Sequence, residues 1–211
     1  MKVGIFIADS NGGYPVPASK GGAVPTLVEH LIKRNNELNI IDMEIVAYYD
    51  AEAEELSKKY ANIKFRWIKI PNVIKLMDNI TFWIIKTRFK EKKALSYKNI
   101  FSLIYYIIES SKIIKNTSYD KIVLENNIPL AWIIKLSKYC GEYYYHFHNV
   151  PRINAKAKDV FKSCTGFLCV SRFVGNQIIS KENAIGPIDK NKVKILYNCV
   201  DIENLNIKLD T

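Results

Sequence analysis

The run Lys2 to Ala8, KVGIFIA, and the fifteen residues after it, Asp9 to Ala23, DSNGGYPVPASKGGA, decide the fold. The first is almost continuously apolar, the pattern of a strand buried on both faces. The second ends in Gly21-Gly22 and opens a helical stretch to Asn36, with Leu27, Leu31 and Ile32 among its apolar positions. A strand that passes through a glycine-bearing loop into a helix begins a βαβ unit. The loop matches neither GxGxxG nor GxxxxGK[ST]. Gly21 and Gly22 admit two readings of equal weight. Without Cβ atoms, and beside the free N–H groups of a helix start, they let an anion such as phosphate approach the backbone. Equally, they turn the chain into the helix and do nothing else. Pro15 and Pro17 stiffen the loop.

The same alternation continues along the chain. Met43 to Tyr49 reads as a strand, Ala51 to Tyr60 as a helix and Ile63 to Ile70 as a strand nearer a sheet edge. A mostly helical middle follows. Apolar bursts at Lys121 to Leu124, Tyr143 to Phe147, Phe167 to Val170 and Lys192 to Tyr197 then alternate with helical stretches at Leu130 to Tyr139, Ala155 to Lys162 and Arg172 to Lys181. The expected fold is therefore α/β, a Rossmann-like doubly wound parallel sheet whose ligands bind outside the carboxyl ends of the strands.

The chemistry-bearing residues follow strands. His146 and His148 flank the end of the fifth apolar run and point to the same side of an extended chain. A metal pair needs a third ligand; none with suitable spacing lies nearby, so no metal is expected. His148 stands nearer the strand end and is the favoured functional histidine. Ser171 has the chemistry of a helix cap, and Arg172 stands beside it at the cleft mouth. Asn198 ends the last strand.

Four of these elements, YPVPA…GGA, the strand ending in HFHN, VSRFV and the closing YNCVD, together resemble family-4 retaining glycosyltransferases, which have the two-domain GT-B fold. Their order and spacing match across nearly the whole chain. The family usually has Gly where Cys199 follows Asn198, a departure that affects the local turn. The resemblance implies that Gly21 and Gly22 face the diphosphate of a nucleotide-sugar donor and that His148 hydrogen-bonds the donor sugar as the catalytic residue. It implies that Tyr14, Asn149, Arg152, Ser171, Arg172 and Asn198 line the cleft. It also implies no metal or other cofactor, no protein nucleophile, and a glycan or lipid-linked acceptor in cell-envelope polysaccharide synthesis. In the family the nucleotide is held by a second Rossmann-like domain bearing paired glutamates. By that pattern residues 1–198 form the acceptor-side domain, residues 199–211 begin a linker, and the fragment alone is inactive. The alternative reading is a stand-alone Rossmann-like binding or partner module without catalysis.

Composition bounds these readings. The 211 residues carry 31 Lys+Arg against 21 Asp+Glu, a net +10, with 48% hydrophobic residues. That is globular composition, with no run approaching the ~18 apolar residues of a membrane span. The four cysteines lack CxxC spacing and read as buried thiols in a reducing compartment, which makes the expected location cytoplasmic. Half the excess charge falls in Asn72 to Lys98, where Lys75, Lys86, Arg88, Lys90, Lys92, Lys93 and Lys98 face only Asp78 and Glu91. Phe82, Trp83, Ile84, Ile85 and Phe89 are interleaved with them. Such a segment fits an anionic membrane surface, with peripheral attachment at the inner face. The reading set against it is a solvated amphipathic helix whose apolar side packs on the domain, and that reading is preferred. No nucleic-acid-binding motif is visible, and nucleic acid is not an expected partner.

Overall fold

The computed structural model describes residues 1–8, 15–88, 98–152 and 156–198. Seven strands, β1 (Lys2–Phe6), β2 (Asp42–Tyr48), β3 (Ile63–Ile68), β4 (Lys121–Glu125), β5 (Glu142–Phe147), β6 (Gly166–Cys169) and β7 (Val193–Ile195), form one sheet in the order β3-β2-β1-β4-β5-β6-β7. Every pairing is parallel. Helices α1 (Ala23–Leu38), α2 (Ala51–Ser57), α3 (Asn72–Arg88), α4 (Ile100–Lys115), α5 (Ala131–Ser137), α6 (Lys158–Ser163) and α7 (Arg172–Ile179) make the crossovers.

The period-two alternation of β1 explains the doubly wound form. Val3, Ile5 and Ile7 enter one buried cluster with Val24, Val28 and Ile32 of α1. Phe6 and Ala8 enter the other, with Tyr106 and Ile107 of α4 and Ile133 of α5. A central strand buried on both faces thus has no polar side to alternate with. The expected β3 edge position holds, with solvent reaching Lys64 and Arg66. The expected last strand shrinks to three residues because β7 is the other edge and is mostly exposed.

Local chemistry sets the helix ends. Asp50 caps α2 by accepting from the Ala53 N–H at 3.1 Å. Asn39 closes α1 in the left-handed conformation, φ 46°, its N–H bonded to Asn35 O at 2.7 Å. Helix α4 has no cap from its own Asn99 side chain. Its first turn is held by Asp78 of α3, whose carboxylate accepts from Phe101 N (2.8 Å), Ser102 N (3.0 Å) and Ser102 Oγ (2.6 Å). A carboxylate at a helix N-terminus satisfies orphan donors and complements the dipole.

Candidate functional site

In a parallel sheet the loops after β1, β4, β5, β6 and β7 all leave by the same edge, and the strand order reverses between β1 and β4. Three consecutive residues at the end of β4 organise that edge. Asn127 Nδ2 donates to Ala8 O at 3.0 Å, tying down the end of β1. Asn126, at φ 54°, donates its N–H to His146 O (2.8 Å), and its Oδ1 accepts from His148 N (3.0 Å) and Asn149 N (3.3 Å). The preceding Glu125 is fully buried and pairs in register with His146. Side chains of paired positions share a face, and so does the one two residues on. Glu125, His146 and His148 therefore converge. His146 Nδ1 lies 3.3 and 3.1 Å from the two Glu125 oxygens, and His148 Nε2 lies 2.9 Å from Oε2. The two rings sit 4.2 Å apart between centroids. Burial pushes the Glu125 carboxyl up, but hydrogen bonds and charge from His146 and His148 outweigh it and hold the group below the usual carboxylate range.

The absence of a third ligand near the histidines, on which the sequence argument against a metal rested, is corrected by this geometry. Glu125, 21 residues before His146, supplies a carboxylate, and one ligand atom from each of the three residues lies within 4.8 Å of the others. Sequence spacing does not reveal it because the contact is made across strands. The only signal was the acidic residue closing an apolar run, IVLE, followed by two asparagines.

Gly21 and Gly22 both take positive φ, 68° and 105°, so the turn into α1 by itself requires glycine. The N-cap position of α1 is Gly22, which offers no side chain to cap the helix, and its first turn holds no acidic residue. Among the described residues, no atom beyond its chain neighbours lies within 4 Å of where a Cβ on Gly21 would stand. The loop before them is anchored: Ala18 N donates to Glu29 Oε2 (3.0 Å), Ser19 Oγ to Asp50 Oδ1 (2.9 Å), and Lys20 pairs with Asp50 at 2.6 Å. Ser171 caps α7, accepting from Val174 N at 3.2 Å. Arg172 and Asn198 are exposed after β6 and β7. Arg152 and Arg172 line different hollows. The first, about 630 Å³, includes Val150, Pro151, Gln177 and Lys181; the second, about 230 Å³, includes Gly175, Asn176 and Lys190. Tyr14 and the segment 199–211 lie outside the described residues.

The basic segment has an unexpected orientation. Asp78 is the one buried residue of α3. Val73, Leu76, Met77, Ile80, Trp83 and Ile84 are 40–67% exposed. At 100° per residue they share an arc about 120° wide. Ile74, Thr81, Phe82 and Ile85 are half-buried on the side that carries Asp78. An apolar side does pack on the domain, but α3 has a second one that faces out. Lys90, Lys92 and Lys93 lie outside the described residues. No helix among the described residues is long and apolar enough to cross a membrane.

Of the three described cysteines, Cys164 and Cys169 are buried and Cys140 is exposed, so the expectation of buried thiols holds for two.

No family profile and no curated protein sequence matches the chain. Solved structures do. A glycosyltransferase from Rickettsia africae is similar at 18% identity and a TM-score of 0.54, over 96% of this chain and 44% of that one. The apo form of the lipopolysaccharide outer core galactosyltransferase WaaB is similar at 15% identity and a TM-score of 0.51, over 97% and 48%. The chain thus spans somewhat less than half the length of each, and its fold is the Rossmann-like α/β fold found in GT-B glycosyltransferases.

Proposed function

We propose that this chain is the acceptor-side half of a retaining glycosyltransferase of family 4. It would move a sugar from a nucleotide-sugar donor to a glycan or lipid-linked acceptor in cell-envelope glycan synthesis, working at the cytoplasmic face of an anionic membrane. The observation that carries this is the gathering of the resembling motifs, with His148 and Gly21-Gly22 among them, at the carboxyl edge of one parallel sheet.

The chemistry follows from charge development. The bond from the sugar's anomeric carbon to the diphosphate oxygen breaks as the bond to the acceptor oxygen forms on the same face, and the acceptor proton passes to the departing oxygen. Negative charge grows on the diphosphate. The uncapped first turn of α1, with no carboxylate of its own, offers N–H donors to that charge. His148 would contact the sugar near the reacting carbon. The scheme asks for no metal, because the backbone N–H groups at the start of α1 take up the charge on the departing diphosphate. The exposed stripe of α3, flanked by Lys75, Lys86 and Arg88, supports docking on anionic lipid, where a lipid-linked acceptor resides.

Calorimetry with nucleotide sugars tests the division of labour. Gly21-Gly22 supplies only a few charge-assisted hydrogen bonds, at ~1.5–3 kcal/mol each before ordering costs, so the 211-residue chain should bind donors no tighter than about 1 mM. Joined to a donor-binding domain, it should transfer sugar. Micromolar donor binding or glycosyl transfer by the 211-residue chain overturns the proposal.

A further inference from the structure

We infer that Asn126 is a positioning residue for His148: its side-chain oxygen replaces a main-chain carbonyl in the β4–β5 ladder and so holds the chain at His148 and Asn149 beyond the last paired residue of β4. That the chain held there meets a nucleotide-sugar donor rests on the function proposed above; the replacement itself does not.

The ladder shows what is replaced. In a parallel pair, the N–H and C=O of one residue bond to two positions of the other strand that lie two residues apart. Asn126 N donates to His146 O at 2.8 Å, so the main-chain oxygen of Asn126 is due to receive the His148 N–H. It does not. Asn126 takes φ 54°, and Asn127 N donates across it to Glu125 O at 2.6 Å, which closes a γ-turn and carries the main chain out of the ladder. Asn126 Oδ1 takes the vacated place and accepts from His148 N at 3.0 Å. The same oxygen accepts from Asn149 N at 3.3 Å. Both partners are donors, so the amide presents its oxygen to them.

The backbone at Asn126 asks for an explanation that its neighbours do not supply. A positive φ is uncommon outside glycine and asparagine. Among the described residues Asn39 and Lys138 share it, and they close α1 and α5, where a left-handed residue is an ordinary ending. Asn126 has no helix to close. It follows the buried Glu125 on a tight turn whose strain is offset by the bonds its side chain makes.

The consequence falls on His148. The side chains of His146 and His148 share a face only while the chain between them stays extended. Past Phe147, the main-chain ties to the end of β4 among the described residues are the His148 and Asn149 N–H groups, and the chain bends there. The ring that stands 2.9 Å from Glu125 therefore has its origin set by Asn126, which acts through the main chain.

The test is amide hydrogen exchange read by NMR on the ¹⁵N-labelled 211-residue chain, with Tyr145, paired on both sides within β5, as the reference amide. In the unaltered protein the His148 and Asn149 amides should be protected. Exchange there at the rate of a free loop amide refutes the inference, whatever the variants do. Asn126→Gly keeps the positive φ and removes the oxygen; it should lower protection at both amides about tenfold or more beyond any change at Tyr145. Asn126→Asp tolerates the same φ, keeps an acceptor oxygen and should restore the protection. A folded Asn126→Gly chain with both amides still protected, an equal loss at Tyr145, or no rescue by Asn126→Asp refutes the inference. Titration with UDP-glucose at millimolar concentrations separates the two claims. A shift of the His148 amide that weakens about tenfold in Asn126→Gly and returns in Asn126→Asp supports both. An equal shift in Asn126→Gly refutes the positioning role. The expected protection with no shift in the unaltered chain keeps that role and removes the donor.

Discussion

Replacing Trp83 by serine should release the protein from anionic vesicles without destabilising its fold. The ring is 67% exposed on the outer stripe of α3, so it contributes little to the folded chain and much of its surface remains to be buried elsewhere. A tryptophan offers at most about 250 Å², so about 170 Å² is free, worth about 4 kcal/mol at 25 cal/mol per Å² if wholly transferred. A ring at headgroup depth keeps about half of that surface wet, which leaves about 2 kcal/mol, or roughly thirty-fold in affinity. Ile80, 50% exposed on the same stripe, should give about tenfold on replacement by serine. The assay is sedimentation with phosphatidylcholine vesicles carrying phosphatidylglycerol, read as bound fraction against lipid, with thermal melting alongside. Replacing Lys90, Lys92 and Lys93 together by glutamine separates charge from insertion. It should cost about 1 kcal/mol per charge at low salt and little at high salt. Vesicle affinity within twofold of the unaltered chain in Trp83→Ser refutes the docking face. So does a loss of binding matched by a lower melting temperature, since the ring would then belong to the core.

Asp78→Ala should destabilise the fold by about 3 kcal/mol in urea unfolding, because two backbone N–H groups and a hydroxyl at the start of α4 lose their acceptor together; a change below about 1 kcal/mol would mean that water replaces the carboxylate. Burial pushes the Glu44 carboxyl up, but Arg66 at 2.5 Å and Lys2 at 3.2 Å hold it below its usual 4.5. The unfolded chain therefore takes up that proton first, so the stability Glu44 contributes is full above the ordinary carboxylate range and is lost as pH falls through its folded value. Glu44→Gln should flatten the stability profile below about pH 5, and an unchanged slope in acid denaturation would contradict the pairing. In a Cys199→Ser background a thiol reagent at about pH 8 should modify Cys140 alone until the chain unfolds, because burial pushes the Cys164 thiol up to about 12 and Cys169 to about 11. Rapid labelling of a second thiol in the native state would show the core to be open there.

The strand–helix alternation was legible because it is written in local periodicities. KVGIFIA is apolar on both faces, so it had to be a central strand, and β1 lies between β2 and β4. IKFRWIKI alternates, so it had to face water on one side, and β3 is an edge. Gly21-Gly22 marked the turn into α1, and Ser171 marked the start of α7, where its hydroxyl caps the helix. His148 could be selected as the residue just past a strand end.

Glu125 could not be read from the sequence. Its contact with His146 depends on which strands lie side by side and in which register, and the 20 residues between them carry no trace of that. The same holds for α3. Its sequence is apolar on two sides, so periodicity leaves undecided which side packs and which faces out. The choice is made in three dimensions. Asp78 must lie against the first turn of α4, where it replaces water for a buried N-terminus, and once it does, the opposite arc from Val73 to Ile84 faces outward. Local sequence determines which elements form, because propensity and alternation act over a few residues. Tertiary structure decides which side chains meet across them, because that depends on the simultaneous burial of partners far apart in the chain.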